Sequence, residues 1–128
     1  MQLNKSHLEF LIYIKILSSK DVIITPHEGE LKAILPTLSG NLISKAIKAA
    51  SILDTIVVLK GATTVIASPN NKALVTPAGA KWLSTAGSGD VLAGIIGGLL
   101  SNKMESYYAA AYGVWLHSEA GKYLGPGM

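Results

Sequence analysis

The chain has 128 residues, 49% of them apolar and 15% charged, with 11 lysines against 8 acidic residues for a net charge of +3. That length supports one globular domain able to bury about two thirds of its unfolded surface. Cysteine and arginine are both absent, which excludes disulfides, thiolate metal centres and a cysteine nucleophile, and leaves phosphate recognition to lysine and backbone amides.

The lysines are scattered singly and never interleave with aromatic residues, so a nucleic-acid surface is not expected. Residues 5–19 form an apolar segment, helical or irregular, that Glu9 and Lys15 interrupt. Neither a secretory signal nor a membrane span is expected from it, and the cytoplasm is the expected compartment. Residues 21–25 are β-branched and stop at Pro26, and residues 55–60 form a second β-branched run stopped by Gly61. Their continuous apolarity predicts inner parallel strands covered on both faces. Between them lie a short helix at 30–35 and a stronger one at 42–53, capped by Ser39 or Asn41, which makes a right-handed strand–helix–strand crossover. Residues 64–68 and 73–76, separated by Pro69-Asn70-Asn71-Lys72, predict a hairpin. Two helices close the chain, about 90–100 and 105–123, the second with Ala109, Ala110, Val114, Leu116 and Ala120 available for packing.

The most informative segment is Thr85-Ala86-Gly87-Ser88-Gly89-Asp90, which runs into the apolar helix beginning Val91-Leu92. Glycine turns let a ligand approach the backbone, and the first amides of a helix point outward unpaired, so this is a ready anion site. Asp90 at its mouth is placed to take a proton from a hydroxyl attacking a phosphoryl group. A plainer reading stands beside this one: Ser88 or Asp90 caps a buried helix and the glycines only turn the chain. Two further polar turns follow strand ends, where ligands collect in open α/β sheets: Thr25-Pro26-His27-Glu28-Gly29-Glu30 and Lys60-Gly61-Ala62-Thr63-Thr64. Glu28 and Glu30 read as first-turn helix residues rather than metal ligands. His117, Tyr107, Tyr108 and Tyr112 read as helix packing.

Taken in order, these three turns resemble the carboxyl half of the NAD(P)H-hydrate dehydratases, the carbohydrate-kinase-like domain of the ribokinase-like superfamily. Gly113-Val114-Trp115-Leu116-His117 and Gly125-Pro126-Gly127 resemble it too, and the likeness covers about residues 20–128. The resemblance implies a three-layer α/β/α fold with a mostly parallel sheet, present here as a partial domain across 1–128. It implies a lyase that uses ADP or ATP, with Mg²⁺, to return the 6S hydrate of NADH or NADPH to the reduced cofactor by phosphorylating its hydroxyl and eliminating phosphate. Carried over position by position, Asp90 is the catalytic base, and His27 and Asp90 touch the hydrated nicotinamide. Lys60, Gly61, Ala62, Thr63, Thr64 and Gly89 hold the adenine nucleotide, and Gly87, Ser88 and Gly89 form the anion hole. The family domain is roughly twice this length, which implies association with a separate amino-terminal half or a homo-oligomer that covers its own sheet edges. The alternatives are a non-catalytic nucleotide-binding half of a split or decayed enzyme and a ribokinase-like small-molecule kinase.

Overall fold

Pro26 and Gly61 stop their strands where the sequence places them, and the chain between them returns to the same sheet. The computed structural model describes residues 22–76 and 88–124. The apolar segment at 5–19, the turn as far as Gly87 and Gly125-Pro126-Gly127 lie outside these residues. In chain order the elements are β1 (Ile23–Ile24), α1 (Glu28–Ile34), α2 (Leu42–Leu53), β2 (Ile56–Leu59), β3 (Val65–Ala67), β4 (Ala73–Val75), α3 (Ser88–Ser101) and α4 (Ser106–Leu124).

The helix starts follow from capping chemistry. At α1, His27 is the cap: its Nδ1 accepts from the Glu30 amide at 3.0 Å, and the His27 amide donates to Glu30 Oε1 at 3.0 Å. This reciprocal pair starts the helix at Glu28, ahead of the expected position, and puts Glu28 and Glu30 in its first turn as anticipated. At α2 the choice falls on Asn41, whose Oδ1 accepts from the Ser44 amide at 2.9 Å. Ser39 instead offers its carbonyl to Lys48 Nζ at 3.2 Å. Helix α2 ends at Asp54, in the left-handed region at φ 52 and ψ 50.

The sheet runs β1-β2-β3-β4. β1 and β2 pair in parallel, Ile23 opposite Ile56 and Ile24 opposite Val57. β2 and β3 are antiparallel, Leu59 opposite Val65, and so are β3 and β4, Ile66 opposite Leu74, which is the expected hairpin. The described sheet is therefore mixed rather than mostly parallel. The physical reason is the loop at 60–64: a connection that short cannot cross over, so the chain must return antiparallel. Expectation and structure also part at β1, which is half-buried at the end of the described sheet, whereas β2 is buried along its whole length.

Alternation along the strands divides the core in two, one half on each face. Val57, Leu59, Val65 and Ala67 face α1 and α2, packing with Leu31, Leu35, Ala46, Ala49, Ala50 and Leu53. Ile56, Val58 and Ile66 face α3 and α4, packing with Leu92, Ile96, Tyr107, Ala110 and Val114. The result is the α/β/α layering expected. Burying each of the larger aliphatic side chains stabilises the fold by about 1.5–3 kcal/mol. On α4 the packing expectation holds for Ala109, Ala110, Val114 and Tyr107, while Leu116 is half-buried and Ala120 exposed. It fails for Tyr108, 58% exposed, and for Tyr112, 46% exposed, because they fall on the side of α4 turned away from the sheet.

Helices α3 and α4 meet at Gly113, where a Cβ would lie 2.7 Å from Ile96 Cγ1. Gly113→Val is expected to force the pair apart and destabilise the protein by about 1–3 kcal/mol, measured as a lower urea midpoint. An unchanged midpoint would mean that the contact is not tight. Among the described residues, no helix is long and apolar enough to cross a membrane.

Candidate functional site

The carboxyl ends of β1 and β2 lie side by side, and the polar turns that follow them meet there. The Lys60 amide donates to the Pro26 carbonyl at 2.9 Å, and His27 and Lys60 form an isolated parallel bridge that extends the β1–β2 ladder past both strands. The far end of the Lys60 loop is pinned as well. The Thr76 amide donates to the Thr64 carbonyl at 2.9 Å, and the Thr64 amide donates to Thr76 Oγ1 at 3.3 Å. Thr64 is only 2% exposed, Thr63 is half-buried, and Gly61 and Ala62 are exposed. The loop is thus a short, open arch of backbone between two fixed posts.

Lys60 reaches from this arch to the start of α3. Its Nζ lies 3.0 Å from where a Cβ on Gly89 would sit, so the absence of a side chain there is what lets the ammonium approach the helix backbone. The first turn of α3 contains Ser88, Gly89 and Asp90, the last with an exposed carboxylate. A lysine ammonium and the free amides of a helix N-terminus at one place concentrate positive potential, and Asp90 sets one carboxylate beside it. Of the residues expected to act together, the structure joins Lys60, Gly89 and the Pro26–His27 backbone directly. Gly61, Ala62, Thr63 and Thr64 join them through the loop, and Ser88 and Asp90 through the first turn of α3. Gly87 lies outside the described residues.

His27 is 61% exposed, and its ring is held over the start of α1 with Nδ1 as an acceptor, which requires the proton on Nε2. It therefore serves as a cap, with Nε2 3.4 Å from Glu30 Oε1 and most of the ring exposed.

Sequence reasoning read His117 as packing, and at 2% exposed it is buried. What that reading missed is its neighbour. Burial first, and the nearby Lys60 charge second, hold the imidazole below its usual range and so keep it neutral. The signal lay in Gly113, four residues earlier on the same helix face. The glycine's contact with Ile96 fixes the α3–α4 register, and that register draws the next turn of α4 toward the start of α3.

A histidine that binds its proton less well folded than unfolded contributes stability above the unfolded value near 6.5, and this contribution declines as pH falls below it. The unfolding free energy from urea titrations is expected to fall on acidification from about pH 7 by at most about 1.4 kcal/mol per pH unit. His117→Gln is expected to flatten that part of the profile, and an equally steep profile in the variant would assign the dependence elsewhere.

A lysine and a helix start that meet at the carboxyl edge of an α/β/α sheet fit a ribokinase-like fold. Comparison with known proteins is specific on this point: the family model described as NAD(P)H-hydrate dehydratase matches residues 5–125. The chain belongs to the NAD(P)H-hydrate dehydratase family. It is 41% identical over 105 residues to the ADP-dependent (S)-NAD(P)H-hydrate dehydratase of Neisseria meningitidis serogroup B, a match covering 79% of this chain and 36% of that protein. The ADP/ATP-dependent NAD(P)H-hydrate dehydratase of Bacillus subtilis, co-crystallised with ATP and Mg²⁺ and soaked with CoA, superposes with a TM-score of 0.74 at 34% identity, covering 80% of this chain and 40% of that one. A ribokinase-like superfamily protein of Enterococcus faecalis V583 superposes with a TM-score of 0.68 at 25% identity, covering 88% of this chain and 42% of that one. The chain therefore spans about two fifths or less of the length of these relatives.

Proposed function

We propose that this chain is the carboxyl-terminal, nucleotide-handling part of an ADP- or ATP-dependent NAD(P)H-hydrate dehydratase, and that it repairs the 6S hydrate of NADH or NADPH in the cytoplasm. The observation that carries the reading is the approach of Lys60 Nζ to Gly89, within 3.0 Å of its Cβ position, at the start of the helix that bears Asp90.

In this reading Lys60 and the arch of Gly61, Ala62, Thr63 and Thr64 hold the nucleotide phosphates, and Gly89 with the neighbouring amides of Ser88 and Gly87 receives the charge that develops during transfer. His27, whose side chain is exposed, and Asp90 contact the hydrated nicotinamide ring. Asp90 takes the proton of the hydrate hydroxyl as that oxygen attacks the terminal phosphorus of ADP, and AMP leaves. The phosphate ester then loses phosphate by C–O cleavage while a proton leaves the adjacent carbon, which restores the ring double bond. Atoms balance as hydrate plus ADP giving NAD(P)H, AMP and phosphate.

Among the described residues no cluster of three or more metal-ligating side chains occurs, and Asp90 is the carboxylate nearest the proposed phosphate site. Mg²⁺ is read as arriving on the nucleotide's phosphates, where it would neutralise charge.

A second reading rests on the share of its relatives that the chain spans, 36% of the Neisseria protein. Among the described residues β1 pairs with β2 alone, and a strand from a separate amino-terminal half or a second copy would extend the sheet at that edge. The chain alone would then bind nucleotide without turnover. Nucleotide binding tests what both readings share. ADP is expected to raise the melting temperature saturably, and no shift at any ADP concentration would remove both. A persistent phosphorylated product with no reduced nicotinamide would instead make the protein a small-molecule kinase of the same superfamily.

A further inference from the structure

Among the described residues, a groove of about 390 Å³ runs along one side of α1, from Glu28 and Gly29 at the start of that helix to the first turn of α2. Its volume lies within the range of small-molecule sites, and the chemistry above leaves it unused. One end adjoins the site: a Cβ on Gly29 would lie 3.0 Å from the His27 ring. Helix α1 carries the groove away from there. Lys32 follows Glu28 by four residues on the same helix face, which sets it about 6 Å farther from His27 along the axis.

The two ends differ in chemistry. Glu28 puts a carboxylate at the His27 end, Leu31 and Leu35 supply a buried apolar base, and Lys32 from α1 and Lys45 from α2 bring two ammonium groups to the groove beyond them. Neither ammonium forms an ion pair or a hydrogen bond with another described residue. Without arginine in the chain, side-chain recognition of a phosphate falls to lysines such as these.

A hydrated dinucleotide needs a second compartment of this kind. With its nicotinamide end on His27 and Asp90, its adenosine end must extend away from them, and the Lys60 loop is already given to the phosphates of ADP. On that adenosine ribose the NADPH form carries a 2′-phosphate where the NADH form carries a hydroxyl. We propose that the α1–α2 groove receives the adenosine end of the hydrated dinucleotide and that Lys32 and Lys45 hold the 2′-phosphate of its NADPH form, so the chain prefers NADPH hydrate to NADH hydrate. The inference rests on the dehydratase reading above and adds to it the discrimination between the two substrates. The apolar base takes the adenosine, and Glu28 repels the phosphate from the His27 end and so favours one direction of binding. A 2′-hydroxyl gains no charge-assisted bond from the same two lysines.

The test uses NADPH and NADH, which carry the same adenosine ends as the hydrates. Their binding is followed by reduced-nicotinamide fluorescence at low ionic strength, and ADP binding is followed beside it by melting temperature. NADPH is expected to bind about tenfold more tightly than NADH, and the advantage is expected to shrink as salt rises, because Lys32 is exposed and Lys45 only half-buried. Lys32→Ala and Lys45→Ala, both at helical positions that accept alanine, are each expected to remove most of that advantage by weakening NADPH alone. Lys60→Ala is expected to weaken ADP and keep the ratio of the two dinucleotides. With ADP bound, equal affinity for NADPH and NADH, binding of neither, or a preference that survives both lysine substitutions overturns this inference and leaves the nucleotide-binding reading standing. A chain that binds neither dinucleotide nor ADP overturns both.

Discussion

Asp90→Asn is expected to lower the rate at which the hydrate returns to reduced nicotinamide by about 10² to 10⁴, the usual worth of a positioned general base, with little change in KM for ADP. The two effects separate because the carboxylate is assigned to the hydroxyl proton and not to the phosphates. Asparagine keeps the size and polarity of the side chain. The position is exposed in the first turn of α3, so loss of the helix-terminus interaction costs at most about 1 kcal/mol. A variant with full turnover would remove Asp90 from the chemistry and leave it as a helix-start residue.

Lys60→Ala carries the second large effect, on binding rather than on rate. Charge-assisted hydrogen bonds contribute about 1.5–3 kcal/mol, so losing the ammonium is expected to raise the Kd for ADP by roughly ten- to a hundredfold. The fold should tolerate the change. What ties this residue to the sheet is its backbone, through the amide that donates to Pro26 and the bridge to His27, and both survive the substitution. Undiminished ADP affinity in Lys60→Ala would move the phosphate site away from the junction of β2 and α3.

These two predictions draw on residues that stand out in the sequence for local reasons. Pro26 and Gly61 punctuate β-branched runs, so the strand ends and the turns that follow them are legible without a structure. Asn41 and the apolar positions of α2 are equally local, as is the hairpin at 69–72. What the sequence does not carry is set by contacts between elements. The return of β3 beside β2 follows from the shortness of the 60–64 loop, and two strands of similar apolar composition do not reveal their relative direction. Tyr108 and Tyr112 share a helix with Tyr107, but only the placement of α4 on the sheet decides that Tyr107 goes inward. His27 shows the same limit at shorter range: a histidine after proline reads as a loop residue until Glu30 is seen to close the capping box on it. His117 is a further case: its burial, and the Lys60 charge that its imidazole meets, come from elements far apart in sequence.

The account stands or falls on turnover. The purified chain, mixed with the 6S hydrate of NADH, ADP and Mg²⁺, and then with the amino-terminal half of a related dehydratase domain added, is followed by reduced-nicotinamide absorbance and by AMP release. The account predicts that absorbance returns with an equimolar yield of AMP, in the chain alone or once the second half is supplied. A folded chain that gives neither in either mixture contradicts it.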